Sequence, residues 1–114
     1  MKVVDIINLR PHLEKFAEKE MNIDSAIMLA RPLRQVVSIC NTFEQSRLAL
    51  VKKFGEVKED GSVEVISPAE KVLFQQAIEE LIDEEVRIDR IPVIYLSSIN
   101  TTPLEVINIL PIFS

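Results

Sequence analysis

From Leu29 onward, apolar side chains recur at alternating steps of four and three: Leu29, Leu33, Val36, Cys40, Phe43, then Arg47, Leu50 and Phe54. Spacing of this kind draws one stripe along a helix, and it predicts a long helix over residues 25–54. Ile27, Val37, Ile39 and Val51 widen the stripe beyond two positions per heptad, which suits packing inside a globule more than a free two-stranded coil. Asp24 or Ser25 is placed to cap its start, and Pro32 predicts a kink near residue 28. Lys52 and Lys53 fall in the last turn, where cations suit the helix dipole, and Gly55 reads as a positive-φ helix stop.

The remaining pattern is shorter-ranged. VVDII at 3–7 is apolar and β-branched and predicts a short strand. After Asn8, the positions Leu9, Leu13, Phe16, Glu20 and Ile23 predict an amphipathic helix with Pro11 in its first turn. Past Gly55, VKEDGSVEVI alternates, with Val57 and Lys58 in one strand and Ser62 to Ile66 in the next. Asp60-Gly61 between them reads as a type I′ hairpin tip. Ser67-Pro68-Ala69-Glu70 has the form of a capping box and opens a helix over 68 to about 84 that should bury Leu73, Phe74, Ala77, Ile78, Leu81 and Ile82. Val86 and Ile88 alternate with charges as a half-exposed strand that Pro92 breaks or places at an edge, and Ile91, Val93, Ile94 and Leu96 continue as a second extended stretch. Thr102-Pro103-Leu104-Glu105 repeats the capping logic before a short helix, LEVINIL, that stops ahead of Pro111.

The expected order is therefore (β)-α-α-β-β-α-β-α. The fold class is α+β, mostly α: two long antiparallel helices joined by a β-hairpin, with a small sheet and short flanking helices. At 114 residues the chain reads as a single domain, 1–114, long enough to bury a core. The core must be aliphatic, because Phe and Tyr total only 5% of residues and Trp is absent.

Charge and cysteine usage narrow the chemistry. A net charge of −5 argues against binding nucleic acid or anionic membranes. One cysteine allows no internal disulfide and no multi-cysteine metal site. Asp5 and Arg10 interrupt the opening residues too early for a signal sequence, and no apolar run approaches a membrane span, so a cytoplasmic location is expected. Two glycines cannot build a phosphate-binding loop, and neither G-x-S-x-G, H-E-x-x-H nor C-x-x-C occurs.

Each candidate for chemistry competes with a plainer role. His12, the lone histidine, lacks a sequence-nominated partner and reads as a surface residue. Cys40 lies on the apolar stripe and reads as a buried, inert thiol. Arg47 stands where the stripe expects an apolar residue, either in a buried pair with Glu44 or an acid of the facing helix, or snorkelling near the helix end. The acidic run Glu79, Glu80, Asp83, Glu84, Glu85 and Asp89 reads first as a solvated helix face, with a basic partner or a divalent cation as the sharper options. No cofactor and no metal site are expected.

The stretches RLALVKKFGEVKEDGS, FQQAIEELIDEEVRID and SSINTTPLEVINILPIF together resemble small uncharacterised proteins of tailed bacteriophages and prophages. The likeness covers roughly residues 25–113 and rests on a helix ending R-x-x-L-x-x-K-F-G, a D-G hairpin, the pattern E-L-x-x-E-E-V-x-I and a closing helix opened by Thr-Pro. It implies a viral setting, in the host cytoplasm or the virion, and a non-enzymatic, protein-binding role. On that basis the expected function is an accessory or virion-assembly factor working through a protein partner or through self-assembly. Val36, Phe43, Arg47 and Leu50 would form the core seam or self-association surface, and Ile109, Ile112 and Phe113 a terminal contact. The alternative is a small acidic inhibitor of a host enzyme or defence system using Glu79, Glu80, Asp83 and Glu84. A metal-dependent hydrolase built on the same acids is the remote third reading.

Overall fold

The computed structural model describes residues 1–65 and 67–114. Helical residues, 3-10 turns included, make up 67% of the chain. The order is α1 (Val3–Ala17), α2 (Ile23–Phe54), β1 (Glu56–Val57), β2 (Val63–Glu64), α3 (Pro68–Ile82) and α4 (Pro103–Ile109), with 3-10 turns at Val93–Leu96 and Leu110–Ile112.

The stretch expected as a strand at 3–7 is the first part of α1. Val3 and Ile6 lie in the same three-and-four register as Leu9, Leu13 and Phe16, and all five are buried. One packing face thus outweighs the local β-branched preference. The helix is held at its start by Asp5, whose Oδ2 accepts from the Lys2 backbone N–H at 2.9 Å. Pro11 consequently sits inside the helix rather than in its first turn, on the exposed side.

α2 runs unbroken through Pro32 for 32 residues. Its N-cap is Asn22, two residues ahead of the first expected position, with Oδ1 accepting from Ser25 N–H at 2.8 Å. Ser25 instead is buried, and its hydroxyl donates to the Tyr95 carbonyl at 2.8 Å. The apolar stripe divides in two. Leu29, Pro32, Val36 and Cys40 are buried, chiefly in the core shared with α1, whereas Phe43, Arg47, Leu50 and Phe54 stay half-exposed.

Gly55 does not adopt a positive φ: it is extended, at φ −92°. A Cβ there would meet the Val51 carbonyl oxygen and lie 2.6 Å from Val63 Cγ1, so close approach of the returning strand demands the glycine. Pairing of Glu56 with Glu64 and Val57 with Val63 leaves a loop of residues 58–62. Within that loop only Gly61 has positive φ, at +86°, and Gly61 N–H donates to the Lys58 carbonyl at 3.0 Å. The tip is therefore a longer turn ending on a left-handed glycine, because a type I′ turn would need Asp60 at positive φ as well. Ile66, expected in the second strand, lies outside the described residues.

α3 packs back along the outer half of α2 but buries none of its residues, and Leu73, expected in the core, is exposed. Its Ser67 side chain makes no cap hydrogen bond, so the expected capping box is absent there. Thr102 and Glu105 do form one at α4.

No strand forms at 86–88 or 91–96 among the described residues. The chain meets its neighbours there through isolated bridges, Lys2 with Glu85 and Ile91 with Phe113, and 93–96 close into a 3-10 turn. Val3 N–H donates to Glu84 O at 3.0 Å and Val86 N–H to Met1 O at 2.8 Å, which fastens the end of α3 to the start of α1.

The core gathers Ile6, Leu9, Leu13 and Phe16 of α1 with Leu29, Val36 and Cys40 of α2 and Ile91, Ile99, Ile109, Ile112 and Phe113 from the last third of the chain. It occupies one end of an elongated molecule, 53 × 28 × 22 Å, with a Cα radius of gyration of 18.0 Å. A compact domain of this length has about 13 Å. The exposed area is 7742 Å², against about 6300 Å² for a compact monomer of this mass. The outer half of α2, the hairpin and α3 thus form an arm beyond the core. Among the described residues, no helix is long and apolar enough to cross a membrane.

Candidate docking groove on the arm

The arm carries a groove of about 1020 Å³ between its two helices. Ser46, Ala49, Leu50 and Lys53 supply the α2 side, spaced so that they fall on one helical stripe. On the other side, Ala77 and Leu81 join Leu50 as half-buried apolar groups, while Glu79, Glu80, Asp83 and Glu84 stand exposed along the edge. Small side chains at Ser46, Ala49 and Ala77 leave space along the groove that longer side chains would fill. At its inner end the groove shares Ser46, Leu81 and Glu84 with a smaller cleft beneath Phe43, of about 170 Å³.

Four carboxylates against the single ammonium of Lys53 make the edge strongly negative. Asp83 is partly answered by Lys2 Nζ at 3.4 Å, and Glu79 accepts from Gln75 Nε2 at 3.4 Å. Glu80 and Glu84 have no ion-pair partner among the described residues. The carboxylates lie along an edge rather than around a point. Among the described residues, no three His, Cys, Asp or Glu side chains are placed to hold a metal ion.

Arg47 does pair with Glu44, but the pair lies on the surface and not in the buried setting expected. Its Nε and Nη2 donate to the two carboxylate oxygens of Glu44 at 3.0 and 2.6 Å. This forked contact holds the Glu44 carboxyl below its usual range and raises the guanidinium. Of the other seam residues, Val36 is fully buried, while Phe43 and Leu50 are half-buried at the junction and on the arm.

The terminal contact expected at Ile109, Ile112 and Phe113 is corrected: all three are core residues, exposed by 0%, 0% and 7%. The last 3-10 turn and the Ile91–Phe113 bridge roll them inward. Leu104, Ile107 and Leu110 are the exposed apolar groups of that region instead. His12 is exposed on α1 beside Ile107 and Pro111, far in sequence from the acids, and Cys40 is a buried free thiol.

Sequence reasoning found the acids and Leu50, placed Ala77 and Leu81 in the core, and missed Ser46, Ala49 and Gln76. The available signal was the small-residue flank beside the heptad stripe. Comparison of the chain with family models, with curated proteins and with solved structures finds no match.

Proposed function

We propose that the protein is a non-enzymatic interaction protein whose α2–α3 arm docks a protein partner or another copy of itself. The observation that carries this reading is the arm, which among the described residues has no fully buried one past Cys40 yet bears an apolar groove edged by acids. The surface in excess of a compact monomer, about 1400 Å², is more than the roughly 800 Å² that one side of a standard interface needs. The resemblance to tailed-bacteriophage proteins supports a viral setting, as an accessory or virion-assembly factor in the host cytoplasm or on the virion. Leu50, Lys53, Glu80, Leu81 and Glu84, which belong to the resembling motifs, line the groove.

A photoreactive residue at Gln76, with one at Lys15 on α1 as control, tests this in producing cells. The expected result is a discrete protein adduct from position 76 and none from position 15. No adduct from either position refutes the reading.

A second reading, an acidic inhibitor of a basic host enzyme cleft, is favoured by the ion-pair-free Glu80 and Glu84. It requires binding that weakens steeply with salt, and salt-insensitive binding removes it.

A further inference from the structure

We infer that the occupant of the groove is a second copy of this chain, docking head-to-tail through the outward face of its α2 start. This rests on the interaction reading above and names its partner.

The groove selects a helix. Both its walls are α-helices whose backbone groups are bonded internally, and the hairpin strands lie outside its lining. An extended ligand would find no ladder partners for its own backbone, whereas a helix arrives with its backbone satisfied and adds a third member to the pair. The groove also selects positive charge, with four carboxylates against one ammonium along its lining.

The same chain presents such a helix. On α2, Ile23, Ile27, Ala30 and Arg34 recur at steps of four, three and four, on the side opposite buried Leu29 and Val36. Ile23 and Ile27 are 74% and 62% exposed, an unusual position for isoleucine on a long helix. Arg34 makes no ion pair among the described residues, and its neighbour Arg31 reaches Asp89 only at 4.0 Å. An apolar stripe flanked by two guanidinium groups complements an apolar groove flanked by carboxylates.

Groove and stripe occupy opposite halves of α2, so the contact is heterologous: each copy keeps a free groove at one end and a free stripe at the other. Such a contact propagates into a ring or a filament instead of stopping at two. An isologous dimer through the groove alone would set two acidic edges against each other.

The test uses sedimentation velocity on the full chain, from micromolar to about 1 mM. Glu80→Lys with Glu84→Lys disables the groove; Ile27→Gln with Arg34→Gln disables the stripe. All four positions are exposed, and circular dichroism checks that both variants fold. Wild type is expected to grow past dimer with concentration. Each variant alone is expected to be monomeric or at least tenfold weaker in association. Mixed, the two variants leave one good groove and one good stripe, and are expected to form a 1:1 heterodimer that grows no further. A wild type that stays monomeric over the whole range overturns the inference, as does a mixture that fails to pair. A wild-type dimer that does not grow overturns it in favour of an isologous contact. If the Gln76 adduct persists with a different protein while the pure chain stays monomeric, the interaction reading stands and this inference alone falls.

Discussion

Adding one methyl group at Gly55 separates two explanations for a glycine after a helix. At φ −92° alanine suffers no backbone strain, so backbone conformation alone predicts no loss and even a gain of about 0.4–1 kcal/mol from the stiffened unfolded chain. Close approach predicts the opposite. The new Cβ would meet the Val51 carbonyl oxygen, which already accepts the Gly55 N–H at 2.8 Å, and would lie 2.6 Å from Val63 Cγ1 and 3.3 Å from the Glu64 carbonyl carbon. Two of these three neighbours are backbone, so β2 must move away. Overpacking of this kind costs about 1–3 kcal/mol; at the middle of that range, about 2 kcal/mol, the unfolded-state gain leaves about 1–2 kcal/mol. Because α3 follows the hairpin and has no buried residue, the loss falls on the arm. Hydrogen exchange followed by mass spectrometry is the assay, with Gly55→Ala expected to lower protection of α3 amides by about 5- to 30-fold and to leave the α1 amides unchanged. Gly61 is the counter-case, at φ +86° with nothing within 4 Å of an added Cβ. There Asn, which tolerates the left-handed region, should recover most of what Ala loses, whereas Gly55→Asn should be no better than Gly55→Ala. Unchanged α3 protection in Gly55→Ala, or rescue by Asn at position 55, would refute the close-approach account.

Three further outcomes follow from named contacts. Thr102→Ala removes a formed capping box and should cost about 1 kcal/mol in urea unfolding, while Ser67→Ala, at a serine without a cap hydrogen bond, should stay within about 0.5 kcal/mol. Ile109→Ala should cost about 2–5 kcal/mol as a core truncation, against about 0.5 kcal/mol or less for exposed Ile107→Ala; equal values would return the chain's end to the surface. Glu105 accepts from Lys19, at 2.8 Å, and from the Thr102 hydroxyl and N–H; Lys19 first, then Thr102, hold its carboxyl below the usual range. A lowered carboxyl stabilises above its unfolded pKa and loses that contribution as pH falls through its folded value. Glu105→Gln keeps the cap but not the charge, so its melting temperature should fall below wild type near neutral pH and converge with it in acid.

What the sequence disclosed was what local chemistry decides. The long helix starts two residues before its expected first residue and ends on the expected one, and α3 starts on its proline, because stripe spacing and helix punctuation act within a few residues. Failures occurred where a distant partner casts the deciding vote. VVDII is helical because Val3 and Ile6 extend the buried face of α1. The pattern at 86–88 is no strand because its neighbour is the backbone of Met1 to Val3, reached by one bridge, two amide hydrogen bonds and the Met1 amino group's contact with the Val86 carbonyl. ILPIF turned inward for the same reason, through Ile91. Of the groove, the acids were legible as a helical face, but which flank of α2 they overlook depends on how α3 lies across it, and no spacing encodes that.

The two hydrogen bonds between the end of α3 and the first residues of α1 have a mechanical meaning. They root the arm at both of its ends, once through continuous α2 and once through this stitch, which makes it a strut and not a flap. Anything that grips and steadies the arm should therefore be felt as slower exchange at the amides of Val3 and Val86.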